Sequence, residues 1–188
     1  MSDLDRDAAW RSQTDPIYKA IGEFVVTFEL LGLAMSLCIK AILERSGLRN
    51  EHVSDILLAG ITAEPLRTLL ESLASETGWL RSEDKATLRD VLSRFQKLTA
   101  ERNDIVHGAW LIELSNYSSH QTDFSKAMGI KFHKNKEGAA NKTLERTVES
   151  LNASIAEAIA LRASVHKLLG KFIFDSSGKQ HAFLPRER

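Results

Sequence analysis

The stretch from Ile17 to Ile42 does most to limit what this chain can become. Ile17, Ile21, Phe24, Phe28, Leu31, Met35, Cys38 and Ile42 recur at helical spacing. Leu30, Leu33 and Leu37 fill the opposite side. A helix apolar nearly all round is expected to be buried nearly all round. Asp15-Pro16 predicts its start, an N-cap acid followed by proline at the first helical position. Ser46-Gly47 predicts its end. The run from Phe24 to Leu43 approaches membrane-spanning length, but Thr27, Glu29, Gly32, Ser36 and Lys40 interrupt it. The reading is a helix buried centrally in a soluble bundle, with no membrane partner.

Composition narrows the function classes. Lys plus Arg and Asp plus Glu each number 25, so the formal net charge is zero. That balance argues against a large nucleic-acid-coating surface or a polybasic membrane patch, while leaving room for a small basic pocket. The lone cysteine, Cys38, rules out an intrachain disulfide and a cysteine-based zinc cluster. Its apolar surroundings predict a buried structural thiol. Met1 to Trp10 carries Asp3, Asp5 and Asp7 and lacks the basic start of a signal peptide, so a cytoplasmic protein is expected.

The remaining chain alternates helical pattern with one interruption. Residues 1–14 read as a disordered lead-in, 15–174 as a single helical domain and 175–188 as a tail. Val53, Ile56, Leu57 and Ile61 begin a second helical pattern. Pro65 disturbs it and Leu66, Leu69, Leu70 and Leu73 resume it, which predicts a kinked helix or two helices broken near 62–64. Ser82, as a capping serine with Glu83 and Asp84 behind it, opens a third helix. Residues 109–140 read as an inserted β-hairpin with loops, its strands near 109–114 and 129–133 and its turn residues Asn135 and Gly138. A last long helix is predicted from about Lys142 to Phe172. The expected fold class is all-α, an up-and-down helical bundle with a small β-hairpin insertion after the third main helix.

Polar chemistry gathers at the end of that third helix. Its stripe runs Leu88, Val91, Leu92, Phe95, Leu98, then position 102, then Ile105 and Val106. The spacing demands an apolar residue at 102 and the sequence supplies Arg102, the kind of local conflict expected at functional sites. Asn103 and His107 lie four apart on one face, and Gly108 is expected to provide a left-handed stop. On a structural reading, His107 complements the helix dipole and Arg102 pairs with a buried carboxylate, with Glu29 the candidate partner. On a chemical reading, the Arg102 fork suits a phosphate, His107 moves a proton near neutral pH, and Asn103 orients the imidazole or a substrate oxygen. Those are the parts needed to cleave RNA without a metal, by attack of a ribose 2′-hydroxyl on the adjacent phosphorus. Proton exchange in two steps wants two titrating groups, which a two-fold homodimer would supply.

Arg102-Asn103-Asp104-Ile105-Val106-His107, followed by Gly108 and flanked by helices, resembles the Arg-x4-His motif of HEPN domains. The resemblance implies a HEPN-like bundle, a homodimer, and a metal-independent endoribonuclease of toxin–antitoxin, phage-defence or RNA-processing systems, with an antitoxin or other protein as a further partner. It implies Arg102, Asn103 and His107 as catalytic residues, no metal and no cofactor. Glu29 and Asp104 are supporting candidates. Ala109 stands where one branch of that family has a tyrosine, and the inserted hairpin departs from its compact members. Lys131, His133, Lys134 and Lys136 form a small basic cluster, a solvated loop by default, in which Lys131, Lys134 and Lys136 are candidates for RNA contact. Trp110 and Phe132 either pack the hairpin or stack a base. His52, His120, His133, His166 and His181 show no paired metal-ligand spacing. The alternatives are a non-catalytic helical interaction module of the same architecture and a nucleotide- or ligand-sensing domain.

Overall fold

The computed structural model describes residues 3–112, 126–135 and 138–174. They form five helices and a small sheet: α1 (Asp3–Arg45), α2 (Glu51–Leu58), α3 (Ala63–Glu76), α4 (Ser82–Val106), β1 (Ala109–Leu111), β2 (Lys126–Asn135), β3 (Gly138–Thr147) and α5 (Val148–Ile173). The protein is therefore mostly helical with one antiparallel three-stranded sheet, ordered β1-β2-β3. Contacts cluster into two compact units. One holds residues 1–28 and 100–157, the other residues 29–99 and 158–188.

In the first unit, Ile17, Ala20, Phe24 and Phe28 of α1 are buried, as are Ile105 of α4 and Leu151 and Ile155 of α5. α1 begins at Asp3, not at Asp15, so the expected lead-in is helical and Pro16 lies inside the helix. Proline withholds one backbone donor from the preceding turn, where the buried Thr14 hydroxyl donates to the carbonyls of Trp10 and Arg11 at 3.2 and 3.4 Å.

The sheet also belongs to this unit. β2 and β3 pair along their whole length, from Lys126 opposite Thr147 to Asn135 opposite Gly138, and β1 pairs with β2 through Trp110 opposite Gly129. Residues 142–147 are thus strand, where a helix was expected to begin. Lys142, Glu145 and Arg146 favour helix alone, but the pairing with β2 decides their state. The helix starts at Val148, where Thr147 and Ser150 satisfy each other: the Ser150 N–H donates to Thr147 Oγ1 at 3.1 Å, and the Thr147 N–H donates to Ser150 Oγ at 3.0 Å.

In the second unit, Leu31, Met35, Cys38, Ile39 and Ile42 of α1 are buried, as are Leu66 and Leu70 of α3, Val91, Leu92 and Phe95 of α4 and Leu161 and Val165 of α5. Trp79 meets Phe172 edge-on at 5.7 Å and lies 3.6 Å beneath the Arg45 guanidinium. α1 ends at Arg45 with Gly47 at φ +102°, as the sequence predicts. The second helical pattern does break in two: Gly60 takes φ +71° between α2 and α3. Pro65 is the third residue of α3, where no intrahelical N–H bond is lost. Ser82 is already helical, and the carbonyl of Arg81 receives the first N–H bonds, from Asp84 and Lys85. Cys38 is buried, its Sγ 3.8 Å from the Val165 carbonyl, and burial pushes its thiol up to about 12.

α1 is not buried all round. Within Trp10–Arg45 it is long and apolar enough to cross a membrane, and half of its apolar 18-residue window is buried, an arrangement compatible with the core helix of a soluble protein. Val26, Leu30, Leu33 and Leu37 are exposed by 61, 43, 56 and 38%. A helix packed from one side keeps its far face in solvent, so apolar residues on both sides did not mean burial on both sides.

Candidate active site

Every helix leaves its last four carbonyls without intrahelical donors. For α4 these belong to Asn103, Asp104, Ile105 and Val106. The strands that follow supply donors. Trp110 Nε1 donates to the Ile105 carbonyl at 2.7 Å, and Lys131 Nζ donates to the Asn103 carbonyl at 3.3 Å, beside the His107 N–H at 3.2 Å. Gly108 has no left-handed φ, contrary to its expected role. A side chain is excluded there for another reason: a Cβ would lie 2.7 Å from the Asp104 carbonyl oxygen. Gly129 is likewise a matter of space, because a Cβ would meet the Trp110 ring at 3.0 Å.

Asp104 fastens the hairpin to this helix end. Its half-buried carboxylate accepts from Lys131 Nζ at 2.9 Å and from Lys142 Nζ at 2.6 Å. Lys131 and Lys142 are cross-strand partners, so they share one face of the hairpin. Burial pushes the Asp104 carboxyl upward, but the two lysine hydrogen bonds more than offset this and hold it below its ordinary value. Glu101, one turn earlier, accepts from Ser154 Oγ at 2.6 Å.

The three predicted catalytic residues occupy the final turns. Arg102 is half-buried between the buried Leu98 and Ile105 positions of its stripe, and its Nη1 donates to Asn103 Oδ1 at 3.4 Å. Asn103 thus turns its side-chain oxygen toward Arg102, while its backbone carbonyl holds the His107 N–H. His107 is exposed. At the helix end Arg102 and Asn103 are half-buried and bonded to each other, His107 is exposed, and Asp104 turns to the strands.

The other predicted residues divide. Glu29 is exposed on α1. Lys131 is brought to the motif, but as a ligand of Asp104. The side chains of His133 and Lys134 and the whole of Lys136 lie outside the described residues, as do His120 and His181. His52 and His166 are exposed. Trp110 packs on Gly129 and caps α4, whereas Phe132 is 72% exposed. Among the described residues no three His, Cys, Asp or Glu side chains gather as a cation site would need. Sequence reasoning missed Lys142 and the capping role of Trp110, because both depend on strand register. Compared with protein-family models, curated proteins and solved structures, the chain gave no match.

Proposed function

We propose that this protein is a metal-independent endoribonuclease of HEPN type, working as a cytoplasmic homodimer with a composite site. The observation that carries the reading is the arrangement at the end of α4, where a half-buried Arg102 bonded to Asn103 stands five residues before an exposed His107. Arg102 holds the scissile phosphate and takes up the charge that develops on its oxygens. One imidazole accepts the 2′-hydroxyl proton as that oxygen attacks phosphorus. A second, the partner subunit's His107, protonates the departing 5′-oxygen as the P–O bond breaks. The products are a 2′,3′-cyclic phosphate and a 5′-hydroxyl. In a toxin or defence setting, an antitoxin or similar protein would be the further partner.

The test is RNA cleavage by the full chain. His107→Ala and Arg102→Ala should each lower the rate by roughly 10²-fold or more, with helix content and mass unchanged. Cleavage should persist in chelator, leave the cyclic phosphate and spare DNA. Chelator-sensitive cleavage, or a fully active His107→Ala protein, overturns the mechanism.

The second reading is a non-catalytic interaction module, and the Asp104 clasp favours it. Lys131, a candidate for RNA contact, is spent on Asp104 and on the Asn103 carbonyl. On that reading His107→Ala changes the thermal melt and no RNA is cut.

A further inference from the structure

The exposed face of α1 carries a pattern distinct from its buried face. Lys19, Glu23, Val26, Leu30, Leu33, Leu37, Lys40 and Glu44 follow one another at alternating steps of four and three residues. That alternation has the 3.5-residue period of a coiled-coil seam. Lys19, Glu23 and Glu44 are exposed, as are the four apolar residues between, and the Lys40 side chain is 26% exposed.

The seam is also its own complement when reversed. Run antiparallel about a two-fold axis between Leu30 and Leu33, it places Leu30 against Leu33, Val26 against Leu37, Glu23 against Lys40, and Lys19 against Glu44. Each apolar residue meets an apolar one and each charge meets its opposite. The four central seam positions are apolar and extend over roughly 16 Å of helix, with Glu29 flanking them. Parallel pairing would instead set Lys19 against Lys19 and Glu44 against Glu44.

The surroundings fit the same register. Leu37, Ala41 and Glu44 border a cleft of about 330 Å³, closed on its other side by Leu169 and Ile173 of α5. The reversed register brings the partner subunit's Val26 to Leu37, and sets the partner subunit's Gly22, which has open space around it, at Ala41. Lys40 already bonds to Asp55 and lies 3.8 Å from Glu51, so the partner subunit's Glu23 would join an existing cluster. The outer pair, Lys19 with Glu44, carries the cleaner test.

We infer that this face of α1 docks onto the same face of a second copy of the chain, antiparallel, through Val26, Leu30, Leu33 and Leu37. The ribonuclease reading calls for a homodimer, and the inference deepens it by naming the face through which two copies meet; it is argued from the exposed face of α1 and its surroundings, not from the α4 motif, and its readout is mass, not cleavage. Sedimentation velocity of the full chain should show a dimer. Leu30→Glu with Leu33→Glu should give a monomer of unchanged helical circular dichroism. Lys19→Glu should raise the dimer dissociation constant about tenfold, since two like-charge contacts form per dimer, and adding Glu44→Lys should restore it. A wild-type monomer, a dimer that survives both glutamates, or equal weakening by the single and double charge variants overturns the inference. So does a monomer that pellets with phosphatidylcholine vesicles, which would give the face to a membrane.

Discussion

The two ends of α4 solve one problem in opposite ways. Asp84, in its first turn, is 5% exposed and bonded to Arg81 at 3.1 Å and to Lys171. Asp104, in its last turn, is 14% exposed and bonded to Lys131 and Lys142. Both carboxyls are pushed up by burial and brought below their ordinary value by their cations. The helix dipole separates them. It favours a carboxylate at the first turn and opposes one at the last, so Asp104 depends on its lysines more than Asp84 does on its partners. The stranded cation differs too. Arg81 and Lys171 are 64 and 46% exposed and return to water when Asp84 is lost, whereas Lys131 is 17% exposed. A buried acid matters most where neither member of its pair has water to fall back on.

Four variants sharpen or break this contrast. Lys131→Ala leaves Asp104 at the negative helix end with only the exposed Lys142, and should cost the most, about 2–3 kcal/mol by denaturant melt. A loss under about 0.5 kcal/mol would mean Asp104 is hydrated without it. Asp104→Asn should cost less, about 1–2 kcal/mol, because the dipole penalty goes with the charge. Asp84→Asn should cost about 1 kcal/mol, since its cations are solvated. A larger loss for Asp84 than for Asp104 reverses the argument. Lys142→Ala should cost under about 1 kcal/mol as an exposed partner.

Acid supplies an independent check on Asp104. Its folded carboxyl titrates below the ordinary value of 3.8, so the folded state holds its proton less readily than the unfolded chain. Stability is therefore complete above that value and is lost as pH falls through and below it. In the Asp104→Asn protein, the stability difference from wild type should shrink as pH is lowered through this range. An undiminished difference would mean that the clasp does not depend on the carboxylate charge.

What the sequence made legible was whatever one helix states about itself. The spacing from Ile17 to Ile42, the stop at Gly47, the break before Pro65 and the burial of Cys38 are local, and each stands in the structure. The Arg102 conflict was legible in the same way, and Arg102 is half-buried where Leu98 and Ile105 are buried, while Val106 of the same stripe is exposed. What escaped was non-local. Residues 142–147 include the helix formers Lys142, Leu144, Glu145 and Arg146, pulled into a strand by β2, and Lys142 reaches Asp104 only through that register. The outward face of α1 escaped for a related reason: periodicity shows that two sides are apolar, not which of them finds a neighbour.

The caps on α4 impose an order of events. Trp110 and Lys131 complete the helix end from strands that follow it in the chain, so the turn holding Asn103 and Ile105 cannot be finished while those strands are undocked. Sub-global opening of the sheet and fraying of that turn should be one event. Hydrogen exchange should report it as a shared opening free energy for the amides of β1 and of residues 103–107, below that of mid-helix amides near Val91. The turn that carries Asn103 and His107 would then last only as long as the sheet stays closed.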